Sequence, residues 1–483
     1  MKTHLRCLLF ALLCALVWNV PLTFATLASD TVWEVRPTNG DNTFGACYAV
    51  SLAGGSSVDY SQQNSAQLSL TDLATTGVVT TLTSVTGGFT DAMIGNCIRI
   101  NSGTNFTVGW YQIITRVDTN TVTLDRAPST GVGSSGAGKV GGATKTLTGQ
   151  SSVTLMNSSN SATSGHHIYV KNEAWNEAVS ANNDGAVGNP IIIEGYNTTR
   201  GDEPTGSNRP RNNKAGSGTP FNIAGAGNTV WKHLWGSNGA SVGWLISVTN
   251  ILVNVRASNN GTDGFSISST NVSLINCESD NNSGKGIDSG TTNTPLYIIG
   301  CYIHNNTSTG ISHAATGLTL VDSIITANGS HGVAFTNNTG IHFLVNNTID
   351  ANTGGSTDGV NIATGIKWVT GSVFMNNIIS NNGRDGVRST DATSIANVAI
   401  DYNNFYGNAG TARTNFPTGS HDIALDPQYV STSGGNYAVG PNMRNVGFPG
   451  VFPASTTQGF LTIGAAQSPF LIRGGGGACV SFQ

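Results

Sequence analysis

The stretch VSLINCESDNNSGKGI at residues 272–287 recurs, with changes, as LYIIGCYIHNNTSTGI at residues 296–311 and LTLVDSIITANGSHGV at residues 318–333. Each copy runs from apolar residues to an asparagine, crosses a short polar segment and restarts at a glycine followed by an apolar residue. The repeated asparagines are Asn260, Asn282, Asn306, Asn328, Asn352, Asn382 and Asn408. The repeated glycines, at steps of 22 to 27 residues, are Gly264, Gly286, Gly310, Gly332, Gly359 and Gly386. A repeat of this length is typical of a solenoid.

The residues that fill each repeat predict strands. Apolar residues alternate with polar ones over three to five positions, as in Leu318 and Leu320, and no helical spacing is sustained. A leucine-rich repeat would need leucines at fixed positions and a return segment, which the sequence lacks. We therefore predict an all-β chain: a right-handed parallel β-helix solenoid with an N-terminal β-rich module. The stacked asparagines would hydrogen-bond along the axis as an amide ladder.

The same alignment makes a prediction about two cysteines. Cys277 and Cys301 occupy equivalent positions in successive repeats. Their Cα atoms should lie about one strand spacing apart, roughly 5 Å, which permits either a disulfide or two stacked, buried thiols. Both alternatives stay open at this stage.

The N-terminal segment is typical of a secretory signal peptide. Lys2 and Arg6 precede an apolar run, and small residues follow at Ala25 and Ala28. We predict residues 1–28 as this peptide, and a secreted protein that is extracellular or attached to the cell surface. Its removal leaves five cysteines, an odd number, so at least one thiol is unpaired or pairs between chains. No further segment looks membrane-spanning, and the absence of a basic stripe argues against nucleic acid.

The predicted domain boundaries follow the composition. The module spans 29–145, the β-helix 160–415, an irregular C-terminal cap 416–466 and a flexible glycine-rich tail 467–483. Gly133, Gly138 and Lys139 have the spacing of a phosphate-binding loop, but Val140 replaces the metal-binding hydroxyl and no helical pattern follows. We interpret this stretch as a flexible glycine linker.

Three tryptophans at the start of the β-helix have two interpretations. Trp231, Trp235 and Trp244 could form an exposed row that stacks on sugar rings, or they could fill the core. The sequence leaves both open. The tripeptide of Arg200, Gly201 and Asp202 is interpreted as an ordinary turn.

The candidate site residues come from a polar position that precedes each turn glycine. Its members are Asp263, Lys285, Thr309, His331, Asp358 and Asp385. Stacking would bring Asp358 and Asp385 about 5 Å apart, near Arg384 and Arg388. They could form a calcium site beside a base, a carboxylate pair, or simple Asp-Gly turns. The candidate catalytic residues are Asp358, Asp385, Lys285, His331 and Arg388, and the candidate metal ligands are Asp358 and Asp385.

A second polar position lies two residues before each ladder asparagine. It holds Asp280, His304, Thr326, Asp350 and Ser380. His304 next to Asp280 suggests a catalytic triad, but a hydroxyl in the right place is missing, so we interpret this row as a solvated face.

The span from IYVKNEAW (168–175) through IIIEGYN (191–197) to LDPQYV (425–430) and IGAAQ (463–467) resembles the right-handed parallel β-helix superfamily around pectate lyase. The stretch SVTGGFTDAMIGNCIRI (84–100) resembles a module found ahead of β-helices in uncharacterised bacterial and phage proteins. The resemblance implies the fold. It implies no single activity, because the superfamily includes polysaccharide lyases, glycoside hydrolases, epimerases, adhesins and phage tailspikes.

These observations give three functional hypotheses. The first is a secreted β-helix with a structural or polysaccharide-recognition role. The second is a polysaccharide lyase or glycoside hydrolase acting on extracellular glycans. The third is a self-assembling filament subunit. We expect no required cofactor, with calcium as an optional ligand, and an extracellular polysaccharide or a second copy of the chain as partner.

Overall fold

In the computed structural model of the chain, the described residues are 27–148, 162–269, 271–290, 295–337, 340–391, 395, 398–443, 446–448 and 462–465. Within these ranges the chain is nearly all β and contains a β-solenoid of about 10 turns after a β-rich N-terminal part. The predicted all-β fold, a right-handed parallel β-helix solenoid with an N-terminal β-rich module, is confirmed. Residues 1–26 of the predicted signal peptide and the predicted tail 467–483 lie outside the described residues.

The strands of the N-terminal part are β1 Thr31–Val35, β2 Cys47–Ala49, β3 Leu68–Thr76, β4 Thr81–Ser84, β5 Cys97–Phe106, β6 Gly109–Asp118, β7 Thr121–Leu124 and β8 Ser129–Val140. The first coils contain β9 His167–Lys171, β10 Val179–Ser180, β11 Ile191–Tyr196, β12 Arg211–Asn213, β13 Phe221–Asn222, β14 Thr229–Lys232, β15 Trp235–Ser237, β16 Trp244–Ile246, β17 Asn250–Val253, β18 Arg256–Ser258 and β19 Phe265–Ile267. The middle coils contain β20 Val272–Ile275, β21 Glu278–Asp280, β22 Ile287–Ser289, β23 Pro295–Ile299, β24 Tyr302–His304, β25 Ile311–His313, β26 Gly317–Val321, β27 Ile324–Thr326 and β28 Val333–Phe335. The last coils contain β29 Ile341–Val345, β30 Thr348–Asp350, β31 Val360–Ile362, β32 Val373–Met375, β33 Ile378–Ser380, β34 Val387–Ser389, β35 Ala399–Asp401, β36 Asn404–Tyr406 and β37 Arg413–Thr414. Short 3-10 turns lie at Val50–Leu52, Asp91–Met93, Gly206–Asn208, Thr432–Gly434 and Pro441–Met443.

Each complete coil contributes one strand to each of three sheets. Sheet 1 has the order β2-β1-β9-β11-β14-β17-β20-β23-β26-β29-β32-β35. Sheet 2 has the order β12-β15-β18-β21-β24-β27-β30-β33-β36, and sheet 3 the order β10-β13-β16-β19-β22-β25-β28-β31-β34-β37. Equivalent residues stack in register, as Leu252, Leu274 and Ile298 do in sheet 1. Successive coils are therefore about 4.8 Å apart.

At two corners of each coil, one residue adopts the left-handed backbone conformation, and the side chain of the next residue points into the lumen. Between sheets 1 and 2, Asn254 and Asn276 have φ of 53°. At the end of each sheet 2 strand, Asn259 has φ of 55° and Asn281 has φ of 54°. Asparagine tolerates this conformation better than other residues with a Cβ, because its short polar side chain bonds locally. The abundance of paired asparagines in the repeats therefore reflects the corners as well as the ladder.

The predicted amide ladder is confirmed at the second corner. Asn282 Nδ2 donates to Asn306 Oδ1 at 2.8 Å, and Asn306 Nδ2 donates to Asn328 Oδ1 at 3.0 Å. Each of these side-chain oxygens also accepts the backbone N–H of the preceding ladder residue. The ladder residues are buried, so these bonds pair amide groups that would otherwise be unsatisfied inside the solenoid.

The cysteines stack as buried thiols. The backbone N–H of Cys277 donates to Cys301 Sγ at 3.3 Å, and no disulfide joins the two residues. Burial raises the pKa of the Cys277 thiol well above its usual range. In later coils asparagines occupy this position and form a second ladder, in which Asn347 donates to Asn377 at 3.0 Å. The two thiols point the same way in the stack, and this arrangement favours contact between them without a disulfide bond.

Aromatic residues fill the lumen. Trp231 and Trp244 are fully buried, and Trp244 stacks on Phe221 with ring centroids 3.9 Å apart. The core interpretation is therefore confirmed for these two tryptophans. Trp235 differs, because it lies on the outer face of sheet 2, half-buried.

The N-terminal part contains a closed antiparallel barrel of order β3-β4-β7-β6-β5-β8. The flexible-linker interpretation of Gly133, Gly138 and Lys139 was wrong, because they lie in β8, which pairs with both β3 and β5. The phosphate-loop alternative fails with it, since a strand cannot wrap a phosphate. A disulfide joins Cys47 to Cys97, a pairing that the sequence analysis did not predict.

The barrel covers the first coil. β1 lies within sheet 1 and pairs in parallel with β9, although it belongs to the stretch assigned to the module. Trp110 of the barrel packs edge-on against Trp33 of β1, with centroids 5.4 Å apart. At this joint Arg200 pairs with Glu34 and Asp59, as part of the ordinary turn predicted there.

The C-terminal segment does more than cover the last coil. Phe416 packs against Phe374 in the lumen at a centroid distance of 5.1 Å and closes it. From Leu425 onward the chain turns back along the outer face of sheet 2 instead of continuing over the end. We name residues 425–443 the strap. In the described residues, no helix is long and apolar enough to cross a membrane.

The amide ladder generates a stability prediction. Replacing Asn306 with alanine leaves the backbone and side-chain N–H groups of Asn282 without their buried acceptor. We expect Asn306→Ala to lower the free energy of unfolding by about 3 kcal/mol, measured by urea denaturation. Thr307→Ala is the matched control, because Thr307 is the exposed neighbour in the same turn and should change stability by less than about 0.5 kcal/mol. Equal effects of the two changes would contradict the ladder's role.

The lumen also predicts acid sensitivity. Burial lowers the pKa of His313 to about 4 and that of His342 to about 3, and neither imidazole Nε2 has a hydrogen-bond partner among the described residues. Unfolded histidine takes up a proton near pH 6.5, so each group destabilises the fold as pH drops below that value, by about 2 kcal/mol at pH 5. His342→Gln should reduce the slope of stability against pH between 6.5 and 4, whereas Thr307→Ala, which removes no titratable group, should leave it unchanged. Identical slopes for all three proteins would refute this.

Candidate functional site

The outer face of sheet 2 carries the densest arrangement of charged and aromatic side chains on the β-helix. Each of its strands has three residues, of which the middle one points into the lumen and the first and third point outward. The first-position row is Arg211, Trp235, Arg256, Glu278, Tyr302, Ile324, Thr348, Ile378 and Asn404. The third-position row is Asn213, Ser237, Ser258, Asp280, His304, Thr326, Asp350, Ser380 and Tyr406. We call the part from Arg211 to His304 the open half, because the strap covers the coils beyond it and reaches this part at Tyr302, beside Gly435.

Three planar groups stack along the first row of the open half. The guanidinium carbons of Arg211 and Arg256 lie on Trp235 at 4.4 Å each from its ring centroid. Cation–π contacts of this kind hold both guanidinium groups against the two faces of the indole ring. Arg211 Nε donates to Ser237 Oγ at 2.7 Å. Its two terminal nitrogens have no acceptor among the described residues, so they remain available to an anionic or hydroxyl-rich ligand.

Arg256 is fully engaged. Its Nε and Nη2 atoms bond the two oxygens of Asp280 at 2.7 and 2.8 Å. Nε also lies 3.7 Å from Glu278. His304 Nε2 lies 3.5 Å from the other oxygen of Glu278, and its ring stacks on Tyr302 at 3.8 Å. The two rows thus bring two carboxylates, a guanidinium and an imidazole together within three successive coils.

The loop after β11 adds a second positive group. Arg209 is 5% exposed, and its Nη1 atom lies 3.4 Å from Glu278. Burial by itself raises the pKa of Glu278, but the hydrogen bond to His304 and the charges of Arg256 and Arg209 outweigh burial and lower the pKa to about 2. Glu278 is therefore ionised at neutral pH.

Glu278, Asp280 and His304 can each place one ligand atom within 4.8 Å of the others, so they form a possible metal group. Two carboxylates and an imidazole suit zinc or iron better than calcium, which prefers oxygen ligands alone. Arg256 already occupies both oxygens of Asp280. A cation would have to displace this guanidinium, so the residues fit a metal poorly and we assign none to them.

The candidate residues chosen from the sequence lie elsewhere, on the turn between sheets 2 and 3. The structure does stack Asp358 beneath Asp385, whose backbone N–H donates to Asp358 Oδ1 at 3.3 Å. Arg384 bonds both oxygens of Asp358 at 2.7 and 2.6 Å. His331 Nδ1 accepts the Asp358 backbone N–H at 2.9 Å. Asp358 is fully buried, so its carboxylate holds this turn in shape.

The other members of that position are also bound within the protein. Asp385 accepts from the Thr411 backbone at 2.9 Å, from the Thr414 hydroxyl at 2.8 Å and from Arg388 at 3.2 Å. Lys285 is farther along the column and pairs with Asp288 at 2.7 Å. Contacts of this kind stabilise the turns of the protein. The catalytic and calcium-binding roles of these residues stay predictions.

Sequence reasoning correctly placed Asp280 and His304 in one row, but it missed Arg211, Arg256 and Glu278. These three residues occupy the first position of their strands, two residues before the third-position row. A signal was present, because charged residues at two positions separated by one small residue predict a polar outer face. Arg211 falls in the irregular early coils, where the alignment of repeats is weakest.

No protein family matches the sequence, and no curated protein matches it. Among solved structures the chain is similar to pectate lyase Pel9A, with 14% identity over 63% of this chain and 88% of that one and a TM-score of 0.41. It is similar to the mannuronan C-5 epimerase AlgE4 A-module of Azotobacter vinelandii, with 13% identity over 55% and 90% and a TM-score of 0.31. The tailspike protein gp49 of Pseudomonas phage LKA1 matches with 11% identity over 74% and 64% and a TM-score of 0.18.

The two arginines on Trp235 should respond differently to replacement. Arg256→Met would leave Asp280 and Glu278 side by side with one fewer positive charge, so we expect a loss of about 3 kcal/mol in unfolding free energy. Arg211→Met removes an equivalent cation–π contact but no ion pair, so we expect a loss of less than about 1 kcal/mol. Urea denaturation of both variants checks this. Equal losses would show that the ion pairs of Arg256 contribute nothing to stability.

Proposed function

We propose that the chain binds an acidic polysaccharide along the open half of sheet 2. The observation that carries the proposal is Arg211, whose guanidinium is fixed by Trp235 and lacks an acidic partner among the described residues. A guanidinium edge matches carboxylate and sulfate groups with two parallel hydrogen bonds.

The regular succession of coils in the β-helix favours an extended ligand rather than a small one. The open half spans five coils, from β12 to β24, which corresponds to about 20 Å along the axis. Its side chains line a shallow strip flanked by the Arg209 loop on one edge. Such a strip fits a chain molecule that contacts each coil in turn. Secretion and an extracellular or cell-surface location belong to this proposal, because polysaccharides of this type are found there.

A second candidate function is cleavage of the same ligand, and the Glu278–His304 pair favours it. An imidazole oriented by an ionised carboxylate can act as a general base. His304 Nε2 faces Glu278 and Nδ1 accepts from the Asn305 amide at 3.1 Å, so a substrate would have to replace that amide at Nδ1. Hydrolysis would need a protonated carboxylic acid, and neither Glu278 nor Asp280 suits that role, since Glu278 stays ionised and Asp280 is held by Arg256. Of the two predicted enzyme classes, the geometry therefore fits a lyase better than a hydrolase. Calcium is not required by either role.

Two other surfaces compete with this assignment. Tyr297 and Phe343 lie on the outer face of sheet 1, 37 and 38% exposed, and line a hollow of about 450 Å³ with Pro295 and Ile341. This is the exposed aromatic pair that a sugar-binding hypothesis would look for first. Filament formation through the N-terminal end would require β2 and the barrel to move off the first coil.

The deciding experiment is binding of the mature chain to polygalacturonate, alginate, dextran sulfate and neutral dextran, with parallel detection of unsaturated ends. We expect Arg211→Ala to weaken polyanion binding about tenfold or more, because it removes a charge-assisted bidentate contact. Lys367→Ala, an exposed charge on another part of the coil, and the pair Tyr297→Ala/Phe343→Ala are the controls. Unsaturated ends that disappear in His304→Gln would add the lyase activity.

Other outcomes would redirect the assignment. Loss of binding only in the Tyr297→Ala/Phe343→Ala protein would place the ligand on sheet 1. Loss of binding or cleavage in Asp385→Ala or Arg388→Ala would restore the site predicted from the turn column. Binding of none of the polymers would leave the structural or filament-forming role as the better hypothesis.

A further inference from the structure

The sheet 2 face does not end where the open half ends. The same two rows continue for four more coils, from Ile324 and Thr326 to Asn404 and Tyr406. The strap covers them together with residues 462–465, where the Ala465 N–H donates to the Thr348 hydroxyl at 3.2 Å. The strap is a hairpin-like loop in which Val430 N–H bonds Ala438 O at 3.0 Å. It has no strand of its own that joins the coil sheets in the described residues. The cover is thus a separate layer laid on a face that the coils have already completed.

The contacts of the strap resemble those of a ring-shaped, hydroxylated ligand. Tyr437 OH lies 2.6 Å from the Thr326 hydroxyl, and Tyr429 OH lies 3.0 Å from the Ser380 hydroxyl. The two tyrosine rings pack edge-to-face at 4.9 Å. Backbone atoms of Leu425 bond the side-chain amide of Asn404 at 2.8 and 2.9 Å. Rings, hydroxyls and amide contacts of this kind are also what a sugar chain offers to a protein surface.

The strap buries a carboxylate, and this burial costs free energy. Asp350 is 2% exposed beneath the strap, and it receives hydrogen bonds from Ser380 at 2.7 Å and Asn381 at 2.8 Å. Its neighbours in the row are Thr326 and Ser380, and the titratable groups facing it from the strap are the phenols of Tyr429 and Tyr437. No cation faces it among the described residues. Burial accordingly raises the pKa of Asp350.

The apolar contacts that hold the strap are few. Val439 and Met443 of the strap, with Ile463, pack on Ile378. A layer with a small apolar cluster and an unneutralised charge under it belongs to the low-stability end of a fold, where local opening is easiest.

We propose that the strap is a displaceable, internal stand-in for the polysaccharide and that its release, together with residues 462–465, extends the ligand face from five coils to nine. This inference rests on the proposed function of the open half. Because the Asp350 carboxyl is more acidic in the open state than under the cover, closure is favoured at low pH and weakens as pH rises from the usual aspartate value through the raised one. The strap therefore limits binding to short segments until it moves.

Opening of the strap is measured without any ligand. Hydrogen–deuterium exchange of residues 425–443, corrected for intrinsic rates, should be faster at pH 7 than at about pH 4, the usual aspartate value, with β17 and β20 as the internal reference. Asp350→Asn should remove this pH dependence, and Tyr429→Phe/Tyr437→Phe should raise strap exchange about tenfold, because two hydroxyl bonds are lost. Tyr297→Phe is the matched control on sheet 1. Exchange that is independent of pH in the native chain and unchanged in the double variant would overturn a displaceable strap.

Ligand length then tests what the strap covers, with polygalacturonate and alginate as long chains and as trisaccharides. In Tyr429→Phe/Tyr437→Phe we expect about tenfold tighter binding of a long chain and unchanged binding of its trisaccharide. A strap that exchanges faster while long-chain affinity stays constant would overturn the inference and leave the open-half proposal standing. Failure of the native chain and the variant to bind either polymer would refute both, whatever the strap does. Should the double variant misfold, Met443→Ser offers a second way to loosen the strap.

Discussion

The structure depends on a repeated geometric constraint, the left-handed turn at the end of each sheet 2 strand. Asn281 and Asn305 adopt this conformation, and each is followed by a ladder asparagine whose amide bonds the coil beyond it. The turn sets the direction in which the chain leaves the sheet. The ladder sets the spacing between one coil and the next along the solenoid axis. Because both act at every coil, a strand register set once is kept along the whole solenoid. The in-line rows of the outer face are a direct consequence.

Because side chains of successive coils align in these rows, the repeat forms a continuous outer surface. A residue at a fixed position of the coil recurs about every 4.8 Å, so unlike side chains at successive coils meet at contact distance. Trp235 between two arginines, and Glu278 beside His304, arise in this way. The same rule operates on the turn between sheets 2 and 3, where Asp358 and Asp385 stack. There the neighbouring arginines and threonines occupy the oxygens of both carboxylates. For this reason the sheet 2 row still has unengaged hydrogen-bond donors at Arg211, whereas the row of Asp358 and Asp385 only stabilises its turns.

The two ends of the solenoid are treated differently. At the N-terminal end an antiparallel strand, a barrel and the Cys47–Cys97 disulfide cover the open edge, and Trp110 seals the lumen. At the C-terminal end Phe416 closes the lumen with a single ring, and the following chain is laid along the side. An exposed edge of a parallel sheet invites pairing with another chain. Once Phe416 and the bridge at Ile423 satisfy this edge, the rest of the segment is available to cover a face.

The sequence by itself determined the fold, the ladder, the stacking of the cysteines and the row that contains Asp280 and His304. It could do so because these features repeat, and a repeat converts sequence distance into spatial distance. Only the tertiary structure decided which polar row has unengaged groups, since the partners of Arg211 and Asp385 come from neighbouring coils and side chains whose directions a pattern does not state. The barrel strand at Gly133 and the course of the strap were also beyond the sequence, because both lie outside the repeat and are held by contacts between residues far apart in the chain.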